Sequence, residues 1–205
     1  MTLAALLAAF GPFALALVGV IVFIENGLLF PFLPGDTLLF GSAVIAAAIG
    51  VSPWVVVAVA AVAAILGGEA GFAIGRRYGR RWFRPDARVL RTRYVDDTER
   101  FFARWGTPAI VLARFVAIAR TFVAPAAGMS TMPHRTFSAW NAASGVAWAC
   151  LVGLVGHLLG AIPWVAAHIE WIMIGMLALP GIPLAITAAR RARRTPAPVD
   201  ATVGA

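Results

Sequence analysis

The sequence has no lysine, a single cysteine and only nine acidic residues among its 205 positions. All seventeen basic residues are therefore arginines. Cys150 stands alone in an apolar run, which excludes an internal disulfide and Cys-x-x-Cys redox chemistry. The chain also lacks the residue spacing of a metal site and the Gly-rich loop that binds nucleotides. We therefore expect neither a metal nor a cofactor.

Charge of either sign is scarce as well. Charged residues make up 13% of the chain and hydrophobic residues 61%, whereas about a quarter of the residues in a soluble domain are charged. Between positions 1 and 75 the charged residues are Glu25, Asp36 and Glu69. Between positions 105 and 189 they are Arg114, Arg120, Arg135 and Glu170. This pattern predicts an all-α, polytopic membrane protein.

Most of the arginines lie in two segments, residues 76–104 and residues 190–194. Both segments flank apolar runs, so the positive-inside rule and anionic lipid head groups explain the net charge of +8 without nucleic acid as a partner. We predict one integral membrane domain over residues 1–189, with a basic cytoplasmic loop at 76–104. Residues 190–205 are predicted to form a cytoplasmic tail that is Arg-rich and then rich in Pro and Ala.

The chain contains five apolar blocks, and two of them are interrupted by helix breakers. The first block, residues 3–49, is too long for one membrane span. The third block, residues 107–129, lies between the two Arg segments together with two uninterrupted blocks. If both Arg segments are cytoplasmic, an even number of crossings separates them, so the third block must enter the membrane and return. We predict two re-entrant helical hairpins, in the corresponding positions typical of an inverted repeat. The predicted breaks are at Pro31, Pro34, Gly35, Pro125 and Gly128.

Each interrupted block carries two charges that are costly in hydrocarbon, about 2.5–3.5 kcal/mol each on insertion scales. Such residues usually face a protein interior or a wet cavity and mark a transport path. Guanidinium groups bind phosphate in a bidentate manner, and helix N-termini add backbone donors. The predicted phosphate site consists of Arg114, Arg120 and Thr121, and the predicted proton and charge-coupling groups are Glu25, Asp36 and Glu69. The alternative is a structural one, in which buried ion pairs only hold the hairpins together.

Three groups of residues, taken in order, resemble the bacterial DedA family, whose members are also called VTT-domain or SNARE-associated membrane proteins. They are Glu25 with Phe32-Leu33-Pro34-Gly35-Asp36, Gly68-Glu69 with Gly75-Arg76-Arg77-Tyr78-Gly79, and Ala113-Arg114-Phe115 with Ala119-Arg120-Thr121 and Pro125-Ala126-Ala127-Gly128. The resemblance covers roughly residues 13–160. Two positions depart from the family pattern: Ala117 stands where the family usually has Pro, and Glu69 where it usually has Asp.

The resemblance implies a multi-pass protein of the bacterial cytoplasmic membrane with two re-entrant hairpins. It further implies recycling of lipid carriers, notably flipping of undecaprenyl phosphate, while eukaryotic relatives scramble phospholipids. The family's essential acids would fall on Glu25 and Asp36, and its essential arginines on Arg114 and Arg120. We therefore expect a proton-coupled lipid transporter rather than an enzyme, with a membrane lipid and protons as its partners.

Other functions fit the same charges, and one of them is a phospholipid scramblase. A proton-coupled exporter of small ions or drugs would use the two acids as its ion sites, and a membrane assembly factor would use the charges only to shape its fold. A lipid phosphatase would need a histidine nucleophile in a context that His134, His157 and His168 lack.

Glycines spaced four apart from Gly67 to Gly79 lie on one helix face and permit a homodimer.

Overall fold

The computed structural model describes residues 12–27, 34–46, 51–79, 100, 102, 104–115 and 117–178. Within these ranges the regular structure is helical and no strand occurs. The predicted all-α class is thus confirmed for the described part of the chain. Three features predicted from the sequence lie outside the described residues: the break at Pro31, most of the basic loop, and the tail at 190–205.

Two short apolar helices come first. α1 comprises Pro12–Gly27 and α2 comprises Gly35–Ile45. At 1.5 Å per residue they are about 24 and 16 Å long, and each is shorter than the roughly 20 residues that cross a bilayer. α2 begins directly after Pro34, because proline has a fixed φ and no N–H, which a helix start tolerates. The interruption thus falls where the sequence places it, before Gly35.

The next helix, α3, comprises Pro53–Ile74 and continues as a π-helical turn, Gly75–Gly79. Together they form a 27-residue segment that is apolar and long enough to cross a membrane. Pro53 occupies the first helical position, after an extended Ser52, where proline's missing N–H costs no hydrogen bond.

A second pair of short helices follows. α4 comprises Ala109–Arg114 and α5 comprises Ala117–Met129. The sequence predicted a break at Pro125, and this prediction is wrong, since Pro125 lies inside α5. The interruption lies earlier, between Arg114 and Ala117. Pro125 lies against glycines of the segment 53–79: its ring lies beside Gly71 and its backbone beside Gly75, where a side chain would overlap it.

The last helices complete the bundle. α6 comprises His134–Gly160, the second segment long and apolar enough to cross a membrane. α7 comprises Pro163–Ala167 and α8 comprises Ile169–Ala178. α3 and α6 pack against each other; α1 packs mainly on α3, α2 mainly on α6, and α4 and α5 contact both short and long helices. The two long helices thus form the scaffold that positions both pairs of short helices.

The interior is built from small apolar residues, and the outside is apolar as well. Val22, Leu39, Ala60 and Ala149 are fully buried where α1, α2, α3 and α6 meet. Large apolar side chains are exposed all along the outer surface, including Phe13, Leu17, Val62, Leu158 and Trp171. A soluble monomer rarely exposes apolar surface on this scale, whereas lipid tails cover it without cost.

The glycine faces are used for contacts inside the chain. Gly67 lies against the backbone of Phe23 in α1, and Gly75 against the backbone of Pro125 in α5. On α6, Gly156 and Gly160 lie against the backbone of α2 at Phe40 and Val44. Small residues let helix backbones approach closely in membranes. These faces are therefore occupied within one chain, and a homodimer stays a prediction that would have to use another surface.

Gly75→Ala is expected to lower the free energy of unfolding by about 1–3 kcal/mol, because the added methyl group forces α3 and α5 apart. Gly175→Ala is the matched control, since nothing lies within 4 Å of the added atom and alanine favours a helix. Thermal unfolding of both variants in detergent checks this. Equal melting temperatures for the two variants would contradict the close α3–α5 contact.

Candidate functional site

Arg120 joins the two pairs of short helices. It lies on α5, and its guanidinium forms ion pairs with Glu25 of α1 through Nη2 and with Asp36 of α2 through Nη1. Arg120 and Glu25 are buried. The sequence left open whether the acidic and basic hairpins meet, and the structure brings them together at this one arginine.

Gly35 fixes one of the two carboxylates. Its backbone N–H donates to Glu25 Oε2 at 2.8 Å, so Glu25 lies at the N-terminus of α2, where the helix dipole favours a negative charge. A Cβ at position 35 would overlap that carboxylate oxygen, so a larger residue here would displace the Glu25 side chain. Glu25 is thereby held on both oxygens, by Arg120 on one and by Gly35 on the other.

Asp36 is the more accessible of the two acids. Its side chain is 37% exposed, against 2% for Glu25. The residue at the cap position of α2 is Pro34, and Asp36 lies in the first turn. Its Oδ1 atom accepts hydrogen bonds from Arg120 and from the indole Nε1 of Trp148, the latter at 2.9 Å. The Arg120 guanidinium also lies 6.0 Å from the centre of the Trp148 ring.

One donor of Arg120 has no partner. Its Nε atom is buried, yet it forms no hydrogen bond with the described residues. Arg120 lines a small cavity of about 10 Å³, which corresponds to room for a single water molecule. Buried polar groups in native proteins are nearly always paired, so this N–H marks a place where the site can take a further acceptor.

Arg114 lines the same cavity but is held differently. Its guanidinium donates to four neutral oxygens on three helices: the carbonyls of Asn141 and Ala64 at 2.8 and 3.0 Å, Ser144 Oγ at 2.9 Å and Asn26 Oδ1 at 3.5 Å. No carboxylate of the described residues forms an ion pair with Arg114. Its buried positive charge is thus fixed in place without being neutralised.

The break between α4 and α5 brings the two arginines to one cavity. They are six residues apart, and a continuous helix would turn them about 240° away from each other. Arg114 instead ends α4, and Arg120 lies in the first turns of α5. Their contacts Ala64, Ser144 and Trp148 all lie in the middle third of the two long segments, 53–79 and 134–160. If those segments cross the membrane, the site is near its midplane.

Glu69 does not contact Arg120. Its carboxylate accepts from Ser138 Oγ at 3.1 Å and Asn141 Nδ2 at 3.1 Å, and pairs with His134 Nε2 at 2.7 Å near the exposed start of α6. Asn141 also accepts from Arg114 through its carbonyl. Among the described side chains, Asn141 links Glu69 to the cavity, and the predicted role of Glu69 in proton coupling stays a prediction.

Two more predicted residues lie in α5. Thr121 is fully buried next to Arg120, and its part in the phosphate site stays a prediction. Gly128 lies one residue before the end of α5, against the backbone of Phe72. The sequence did not identify Trp148, Asn26, Asn141 or Ser144. The position of Trp148 could have indicated a special role, because it lies in the centre of an apolar segment, whereas tryptophans in membrane proteins are enriched near the membrane interfaces.

Comparison with known proteins assigns the family. The model of the VTT domain matches residues 30–158, and Protein DedA of Escherichia coli K12 is 36% identical over 187 residues, which cover 88% of this chain and 85% of DedA. The chain belongs to the DedA family of VTT-domain proteins. Asp36, Glu69, Arg114, Arg120 and Trp148 lie inside the matched domain, while Glu25 lies just before it.

Other DedA-family relatives are membrane proteins by name. The membrane protein Rv0364 of Mycobacterium tuberculosis H37Rv is 40% identical over 190 residues, which cover 90% of this chain and 84% of the relative. The membrane protein ML0287 of Mycobacterium leprae is 37% identical over 170 residues, covering 82% and 77%. No solved structure matches this chain. A membrane location for this family member follows from these relatives and from its two long apolar helices.

Proposed function

We propose that this DedA-family protein flips a phosphate-bearing lipid, undecaprenyl phosphate, across the bacterial cytoplasmic membrane and that this transport is coupled to protons. The observation that carries this proposal is Arg120, a buried guanidinium that holds two carboxylates and still has an unpaired N–H. Arginine is the side chain best suited to phosphate, because its planar donors match the phosphate oxygens.

The charges in the site balance in the absence of substrate. Arg114 and Arg120 contribute two positive charges, and Glu25 and Asp36 contribute two negative ones. If one carboxylate is protonated, one positive charge is left uncompensated in a low-dielectric interior, which favours an anion. A phosphate head group would provide that anion, so proton uptake and phosphate binding become linked.

Asp36 is the carboxylate that we expect to release Arg120. It is more exposed than Glu25, and it has no backbone donor comparable to the Gly35 N–H that holds Glu25. Proton entry and phosphate entry would therefore both occur on the Asp36 side of Arg120. Glu25 would stay in place and keep the guanidinium oriented.

The helix arrangement supports a site reached from either side. In this proposal α3 and α6 cross the membrane, and the pairs α1–α2 and α4–α5 enter and return as the two halves of an inverted repeat. The end of α1, the start of α2 and the start of α5 meet at Arg120, where Glu25 also accepts from the first backbone N–H of α2. Movement of one pair relative to the other would then open the site to one leaflet at a time.

Reconstitution tests the function directly. Proteoliposomes containing the purified chain, a labelled polyprenyl phosphate and an imposed proton gradient are expected to equilibrate the lipid between leaflets faster than empty liposomes. The matched control lipid is the corresponding polyprenol, which lacks phosphate and should show no acceleration. Folded protein that accelerates neither lipid would contradict the proposal, and cation-driven proton flux in the same vesicles would favour an ion exporter instead.

A further inference from the structure

We propose, on the basis of the lipid-phosphate transport inferred above, that Trp148 binds the phosphate through its indole N–H, beside Arg120. In the structure without substrate, Asp36 Oδ1 occupies the position of a phosphate oxygen. Two N–H groups converge on that single oxygen, from Arg120 Nη1 and from Trp148 Nε1. Donors from two different helices that converge on one anionic oxygen form an anion site.

The indole N–H of Trp148 has few other possible acceptors. The side chain is buried, with 4% of its surface exposed, and indole nitrogen is a donor only. When Asp36 withdraws, the indole N–H would be left in the interior without an acceptor, which proteins avoid. A phosphate oxygen that takes the place of Oδ1 satisfies it again, so the same N–H stabilises both states.

The ring of Trp148 also orients Arg120. The guanidinium carbon lies 6.0 Å from the ring centre, a distance at which a cation and an aromatic face attract each other. With Asp36 displaced, Arg120 Nη1 and Trp148 Nε1 are two donors from different helices aimed at one position. A phosphate oxygen placed there accepts from both of them.

The decisive test measures binding after the competing carboxylate is removed. Asp36→Ala is expected to bind farnesyl phosphate at least about tenfold more tightly than the wild type, because the anion no longer displaces an internal one. In that background, Trp148→Phe keeps the ring but loses the N–H and is expected to weaken binding about tenfold. Trp171→Phe, at a ring that is 73% exposed, is the matched control and should leave the affinity unchanged.

The measurement is isothermal titration calorimetry of the full chain in detergent, with inorganic phosphate as a second probe. Binding of farnesyl phosphate but not of inorganic phosphate identifies a lipid as the source of the head group. If both probes bind and Trp148→Phe weakens their affinities equally, Trp148 makes the same contact with both. If Asp36→Ala does not fold, Asp36→Asn takes its place. Unchanged affinity in Asp36→Ala/Trp148→Phe overturns the role of Trp148 alone, whereas failure of all folded forms to bind either probe overturns the lipid-phosphate function with it.

Discussion

Arg120→Gln is expected to lower transport of polyprenyl phosphate at least about a hundredfold. Two charge-assisted hydrogen bonds to the phosphate are worth about 1.5–3 kcal/mol each, and each 1.4 kcal/mol is a factor of ten in binding. The same substitution should also lower the free energy of unfolding by about 3–5 kcal/mol, because it leaves Glu25 charged, buried and without its cation. Leaflet exchange in proteoliposomes and thermal unfolding in detergent measure the two effects separately.

A second substitution separates function from structure. In Arg120→Gln/Glu25→Gln both charges are removed and Glu25 is replaced by an amide of its own shape, so much of the lost stability should return, while transport stays absent because no guanidinium remains. Arg135→Gln, at an exposed residue of α6, is the control and should keep both properties. If the double variant regains transport together with stability, Arg120 is a structural residue and the phosphate site lies elsewhere.

The sequence predicted the groups of this site better than their connections. Charged residues in an apolar chain are easily noticed because burying them is costly, so Glu25, Asp36, Arg114 and Arg120 could be selected without a structure. Which acid forms an ion pair with which arginine could not be predicted, because it depends on how helices distant in sequence pack. Nothing in the local sequence indicates that Arg120 receives both acids while Arg114 receives neither.

The helix interruptions were likewise only partly predictable from the sequence. Pro34 and Gly35 lie just before and at the start of a helix, where proline geometry alone suffices to predict an interruption. Pro125 looks equivalent in sequence, but α5 continues through it, with Gly71 and Gly75 of the neighbouring segment beside it. The actual interruption, after Arg114, has no proline on either side. It could not be predicted from helix breakers, because neither proline nor glycine lies there.

Arg114→Ala is expected to prevent stable folding. The guanidinium donates to four buried oxygens from α1, α3 and α6, and each buried polar group left without a partner costs about 1–3 kcal/mol. The summed loss rivals the entire stability of a typical domain, about 5–15 kcal/mol. The checks are the yield of monodisperse protein from the membrane and, where protein is obtained, its melting temperature.

Arg114→Lys then distinguishes a structural role from direct phosphate binding. Lysine keeps the charge at the cavity and can still donate three hydrogen bonds, so the variant should fold with reduced stability and retain measurable transport. Arg120→Lys should fold but lose transport, since an ammonium group cannot replace planar donors aimed at two carboxylates and a phosphate. The opposite result, a stable but inactive Arg114→Lys, would show that Arg114 contacts the phosphate itself. Opposite outcomes for the two lysine variants are expected because Arg114 is anchored by neutral oxygens, whereas Arg120 is held by acids that a phosphate can replace.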